Sequence, residues 1–218
     1  MNRTPLPQLL VPATAVALAV LLLFHPQFEG GVYEGLRGHA TRWIVVHVGL
    51  AVGAGLMTAA AYRLIEDLSG RTATVSRCAL AVFPILFIAW EATLGIGTGL
   101  MVDQANGLPA ADRAPVADAI QGYFESPVLL GLSAIGNTAW IVAMLAAAVA
   151  FRRAGAGRAV TLLLGLSSVF VMHDAGPVGA IGLLCFAAAA VLIGRGEFQG
   201  GESGWSPDVL ASARQQAG

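Results

Sequence analysis

The sequence contains no lysine and few charged residues of any kind. Charged side chains make up 11% of the 218 residues, whereas soluble globular domains usually carry about a quarter. All twelve basic residues are arginine, the formal net charge is −1, and the arginines form no patch typical of nucleic-acid binding. The composition therefore argues against an ordinary soluble domain and against a nucleic-acid partner.

Several motifs that would indicate a particular chemistry are also missing. The two cysteines, Cys78 and Cys185, have neither the number nor the spacing of a disulfide framework or a CxxC metal site, so both are interpreted as packing residues. There is no HExxH motif of zinc proteases and no DxxxD motif of prenyltransferases. No internal repeat is evident either, which disfavours the inverted-repeat transporter architectures.

What the sequence does contain is long apolar runs. Hydrophobic residues make up 56% of the chain, and the runs lack the alternation of barrel strands, which favours helices. We predict an all-α, polytopic integral membrane bundle of six transmembrane helices in residues 1–195, followed by a flexible cytoplasmic tail in residues 196–218. The predicted spans are 7–24, 42–63, 78–102, 127–151, 158–173 and 177–194.

The arginines predict the orientation of this bundle. With the N-terminus in the cytoplasm, nine arginines lie in cytoplasmic segments and three in outer ones, which agrees with the positive-inside rule. We therefore predict a multi-pass protein of the cell membrane with both termini in the cytoplasm. In this arrangement, the loops 26–41 and 103–125 are outside, where they are expected to cover the cavity of a membrane-embedded enzyme. His25 and His39 are expected to be solvated there.

Small residues predict where helices approach each other closely. Gly49 and Gly53 are four residues apart, as are Gly95 and Gly99, and this spacing lets two helix backbones come together. The glycines at positions 95, 97 and 99 are also expected to loosen the third span near its outer end.

The polar residues inside the spans are the candidate functional residues, because such groups are costly in lipid. Glu91 and His47 are expected in the outer half of the membrane, and Asn137 at a similar depth. Glu91 and Thr98 share one α-helical face, and Ser133 and Asn137 share another. The predicted substrate contacts are His47, Trp90, Thr98, Ser133 and Asn137.

The fifth span and the sixth span that follows it are both short. In the fifth span, residues 159–172 cover roughly 21 Å, against a hydrocarbon core of about 30 Å. The turn at His173 and Asp174 is therefore expected to lie below the outer surface, next to an outward-facing polar pocket with Glu91 at its floor. Each of these residues also has a purely structural interpretation. Asp174 can cap a helix, Glu91 can be a structural acid, and His47 can belong to an interfacial aromatic belt with Trp43.

Three classes of function remain open at this point. The favoured one is a membrane-embedded enzyme that acts on a lipid or apolar small molecule, with Glu91, His173 and Asp174 as catalytic acid–base residues. The second is a proton- or cation-coupled transporter or channel, which in so small a bundle would form a homo-oligomer. The third is a haem or metal protein with His47 and His173 as ligands, which is not favoured because a lone histidine pair is weak evidence. An accessory membrane protein is the remaining interpretation.

Overall fold

The computed structural model describes residues 5–172 and 177–195, with side chains from residue 9 onward. All regular structure in these ranges is helical. We number the α-helices in chain order: α1 (Pro5–Leu22), α2 (Val32–Leu36), α3 (Ala40–Ile65), α4 (Arg71–Trp90), α5 (Thr98–Asn106), α6 (Arg113–Phe124), α7 (Pro127–Arg153), α8 (Arg158–Leu166) and α9 (Pro177–Gly194). A π-helical segment, Glu91–Gly97, joins α4 to α5, and 3-10 turns lie at Ala110–Asp112 and Ser167–Val171.

Several continuous helical stretches have the length and composition of membrane spans. Four of these stretches are long and apolar enough to cross a bilayer: Ala40–Ile65, Arg71–Asn106, Ala110–Arg153 and Pro177–Gly194. Two shorter apolar stretches cover Leu9–Leu22 and Arg158–Val171. Large apolar side chains are exposed along these helices, among them Ile85 (70%) and Leu162 (66%). Such a surface suits lipid rather than water. The all-α membrane bundle is thus supported, whereas six crossings and the orientation of the termini stay predictions.

The six main helices form a closed ring in chain order. Each of α1, α3, α4, α7, α8 and α9 packs on the next, the α4–α7 contact is the most extensive, and α1 closes the ring against α9. The middle of the ring is filled by aromatic rings from four elements. These rings contact one another and belong to Phe83, Phe87, Trp140, Phe170 and Phe186.

Both predicted glycine pairs lie at close helix contacts. A Cβ on Gly53 would overlap the Leu18 side chain of α1, and one on Gly49 would overlap Leu21. On the other pair, a Cβ on Gly99 would lie 2.5 Å from Ile44 Cγ1 of α3. Because side chains of the neighbouring helix pack directly on the backbone at these glycines, the predicted close approach is confirmed at both pairs.

The short fifth segment is present, and it ends in 3-10 geometry. The prediction that the sixth helix is also short is wrong, because Pro177–Gly194 is one of the four helices long enough to cross a bilayer. Helix α8 gives way at Ser167 to a 3-10 turn that runs to Val171. Its carbonyl at Ser167 accepts a hydrogen bond of 3.1 Å from Trp140 Nε1. The predicted buried turn at His173 and Asp174, like the predicted tail at 196–218, lies outside the described residues.

One end of the ring is covered by the short helices α2 and α6, and we call it the capped end. A separate apolar cluster there includes Tyr33 and Leu36 of α2, Trp43 of α3, Val102 of α5 and Ile120 of α6. Gln121 Oε1 also accepts a hydrogen bond of 2.9 Å from the main-chain N–H of Val32. The two loops that are predicted to cover a cavity therefore pack on each other and on the bundle.

Candidate functional site

The structure brings His47 and Glu91 together in the interior of the bundle. Nε2 of His47 lies 3.9 Å from Oε2 of Glu91, and the two side chains are 1% and 0% exposed. His47 comes from α3 and Glu91 from the first residue of the π-helical segment. Two ionisable groups that have been removed from solvent in this way are costly to bury unless they neutralise each other.

A main-chain hydrogen bond fixes the orientation of the His47 ring. Nδ1 of His47 lies 2.8 Å from the carbonyl oxygen of Trp43, one turn earlier in α3. A carbonyl only accepts hydrogen bonds, so Nδ1 carries a proton and donates it. Nε2 is therefore the nitrogen that faces the Glu91 carboxyl and that can gain or lose a proton.

The pair can be electrically neutral in two ways. In one form His47 is neutral and Glu91 is a carboxylic acid; in the other, His47 is an imidazolium and Glu91 a carboxylate. Moving one proton between Nε2 and the carboxyl interconverts the two forms without changing their total charge. At 3.9 Å the two atoms are beyond hydrogen-bond distance, so such a transfer needs a small movement of one side chain.

The π-helical segment supplies the second half of the site. In a π-helix the backbone bonds skip one residue further than in an α-helix, and such segments occur frequently at functional sites. Two of its carbonyls accept hydrogen bonds from side chains elsewhere: Gly95 from Trp43 Nε1 at 2.7 Å, and Thr93 from the Tyr123 hydroxyl at 2.9 Å. The segment that carries Glu91 is therefore tied both to α3 and to the capping helix α6.

Gly95 is the position that allows His47 to approach this segment. A Cβ at Gly95 would overlap the His47 ring, with its Cγ only 2.6 Å away. The imidazole consequently packs directly on the backbone of the π segment. The predicted loosening near these glycines is confirmed as a π segment.

A second imidazole, that of His25, continues the site toward the capped end. The His25 ring lies 5.1 Å from that of His47 and 5.0 Å from that of Trp43, measured between ring centroids. Its Nδ1 is 3.3 Å from Nε2 of Gln27. The prediction that His25 is solvated is wrong, because this side chain is only 8% exposed. After α1 the backbone makes a turn in which the N–H of His25 bonds to the carbonyl of Leu22, and this turn directs the ring inward.

The remaining predicted contacts are placed as follows. Trp90 is 5% exposed and packs on Phe87, with their ring centroids 5.7 Å apart. Thr98 is fully buried, and its hydroxyl has no hydrogen-bond partner among the described residues. On α7, Asn137 donates a hydrogen bond of 3.2 Å to Ser133. His173 and Asp174 lie outside the described residues, so their catalytic roles stay predictions.

The described residues enclose the pair, since both side chains are almost fully withdrawn from solvent. Two surface cavities of the described region, near Arg42 and near Tyr62, are lined by neither His47 nor Glu91. Within residues 5–172 and 177–195, no group of three or more His, Cys, Asp or Glu side chains is placed to hold a metal ion. A scan against protein-family models, a search of curated proteins and a search of solved structures all return no match for this chain.

Proposed function

We propose that this chain is a six-span membrane protein with both termini in the cytoplasm, and that its His47–Glu91 pair is a proton-exchange site for proton-coupled transport. The single observation that carries the proposal is the approach of Nε2 of His47 to the Glu91 carboxyl, with both side chains withdrawn from solvent. Ionisable groups at membrane depth are typical of proton relays.

The spatial series of three ionisable groups supports transport over a static role. The ring centroids of His25 and His47 are 5.1 Å apart, and His47 Nε2 is 3.9 Å from the Glu91 carboxyl. A proton that enters at the capped end therefore meets His25 before the pair. Beyond Glu91, the described residues close the ring with the contacting aromatics Phe83 and Phe87. Passage to the other side requires a conformational change, and the π segment is the element placed to provide it.

The test is proton movement in proteoliposomes under an imposed pH gradient, read with a pH-sensitive dye inside the vesicles. The expected result is that the wild-type protein dissipates the gradient and that Glu91→Gln abolishes this activity. The glutamine keeps the shape of the side chain but cannot exchange a proton. Glu29→Gln makes the same chemical change at an exposed residue of the capped end and should retain full activity.

Two results would contradict the transport proposal. One is an intact, reconstituted wild-type protein that moves no protons with any imposed gradient or candidate solute. The other is a Glu91→Gln variant with wild-type rates. Transport by so small a bundle is expected to involve a homo-oligomer, so the oligomeric state in the vesicles should be measured by crosslinking in the same preparation.

A membrane-embedded enzyme is the second candidate, and the oriented imidazole favours it. His47 has a fixed tautomer, one nitrogen held by a carbonyl and the other facing an acid, which is the arrangement of an acid–base catalyst. Glu91 would act as the general acid on a lipid or apolar small molecule, together with His173 and Asp174. Turnover of a membrane-lipid extract by the purified protein, followed by mass spectrometry and lost in Glu91→Gln, would support the enzyme over the transporter.

Haem or metal binding through His47 and His173 is less well supported by the geometry. To bind a metal, Nε2 of His47 would have to turn away from Glu91, since Nδ1 is engaged with Trp43. An absorption spectrum and elemental analysis of the purified protein distinguish this alternative from the other two.

A further inference from the structure

A groove at the capped end has the form of a lipid site. Its volume is about 640 Å³, and it lies between the end of α1, the turn after α2 and the first two turns of α3. Arg42 and His39 line its outer part, and Leu21, Phe24 and Val45 line the part further along the helices.

The groove changes from polar to apolar along α3. Val45 follows Arg42 by three residues, which places it about 4.5 Å further along the helix axis. Phe24 and Val45 are each 59% exposed, so the apolar wall is open to the surroundings of the bundle. In a membrane protein an open apolar wall of this kind is covered by acyl chains. The occupant is therefore expected to have an apolar chain and a polar group at one end.

The charges at the polar end select an anionic group. Arg37 is paired with Glu34 at 3.2 Å, whereas Arg42 has no ion-pair partner within the described residues. The first N–H groups of α3 also lack helical partners, and the side chain of His39, the N-cap residue, does not cap them. An arginine next to a helix N-terminus attracts a phosphate group.

Two other polar residues of the groove restrict the choice further. The Asn106 side chain is already used, because it accepts a hydrogen bond from Tyr33 and donates one to the carbonyl of Arg37. Asp103 also lines the groove, and its carboxylate disfavours a doubly charged anion. A phosphodiester with a single charge suits this set better than free inorganic phosphate.

We infer that this groove binds a glycerophospholipid, with its phosphodiester at Arg42 and the first turn of α3, and with an acyl chain along Leu21, Phe24 and Val45. The inference rests on the membrane location of the chain and does not depend on the chemistry of His47 and Glu91. Failure of the proton assay would therefore leave the lipid inference intact, and failure of the lipid titration would leave the proton-exchange proposal intact.

The experiment is titration of the detergent-purified full chain with phosphatidylglycerol, followed by native mass spectrometry of the retained lipid. Arg42→Gln should weaken retention about tenfold, the value of one charge-assisted contact. The matched control is Arg71→Gln, which removes the same charge from an exposed first turn of α4, and it should bind like the wild type. Val45→Trp, which fills the apolar wall, should weaken binding while thermal unfolding in lipid-free detergent stays unchanged.

Each of the opposite results would overturn the inference. Equal retention by Arg42→Gln and wild type would remove the role of the arginine, and an equal loss in Arg71→Gln would indicate a general charge effect. Diacylglycerol retained as well as phosphatidylglycerol would exclude phosphate recognition. Inorganic phosphate at micromolar concentration displacing the lipid would instead indicate a site for the free anion.

Discussion

Replacing Gly95 by alanine is the most direct test of the site geometry. The added methyl group would overlap the His47 ring and lie 2.6 Å from its Cγ. The ring cannot move away freely, because its Nδ1 is bonded to the carbonyl of Trp43 and it contacts the rings of Trp43 and His25, whose centroids are 4.1 and 5.1 Å away. The π segment must therefore shift, or His47 must leave Glu91.

The magnitude follows from two opposed effects. Overpacking of a well-packed interior costs about 1–3 kcal/mol. Alanine in a helix interior is favoured over glycine by about 0.5–1 kcal/mol. We therefore expect a net loss of roughly 1–2 kcal/mol in the free energy of unfolding, together with a large loss of proton-exchange activity, since the His47–Glu91 distance of 3.9 Å is already at the limit of an ion pair.

The assays are thermal unfolding in detergent and the proteoliposome proton assay. Gly131→Ala is the control, because its methyl group would meet nothing within 4 Å; this α7 variant should be as stable as the wild type or slightly more stable. If Gly95→Ala is as stable and as active as the wild type, then the close packing of His47 on the π segment is not required, and our account of the site is wrong.

Two further substitutions test hydrogen bonds between elements. Ser76→Ala removes the buried 2.8 Å hydrogen bond from Ser76 to the Ala143 carbonyl. In a denaturation measurement it should lower the free energy of unfolding by about 0.6 kcal/mol, and by at most about 1.7 kcal/mol. The control Thr138→Ala removes only an exposed hydrogen bond within α7 and should have no effect; equal effects of the two substitutions would refute the inter-helix contribution. Tyr123→Phe removes the bond to the Thr93 carbonyl and should cost about 1 kcal/mol and speed amide hydrogen exchange in Glu91–Gly97. Unchanged exchange there would mean that α6 does not stabilise the π segment.

Much of the fold could be predicted from the sequence, because the apolar runs and small residues have few alternatives in a membrane. Glu91 and His47 stand out as candidate functional residues because ionisable side chains are costly to bury in a membrane. Such a side chain is expected to have a polar partner that reduces this cost. The partner itself could not be predicted, because it depends on which helices are neighbours. No pattern in the sequence indicates that α3 and the π segment are neighbours.

Other parts of the site could not be predicted from the sequence, each for a specific reason. His25 follows an apolar run and precedes a proline, the usual pattern of a solvated loop, and only the turn after Leu22 brings it inside. The shared face of Glu91 and Thr98 was inferred from an α-helical period, which does not apply across seven π-helical residues. Ser133 and Asn137 bond to each other within α7, so their spacing reflected a contact within one helix.

The contact between α1 and α9 has a consequence for how the protein is made. Among the described helices, the first to be synthesised packs against the last, so the side of α1 that faces α9 stays uncovered by it until α9 has been made. Leu18 and Leu21 can dock on α3 as soon as that helix is inserted, and His25, His47 and Glu91 of the candidate site all lie before residue 92. The candidate site can therefore assemble early, during translation, while the ring as a whole closes only when α9 arrives.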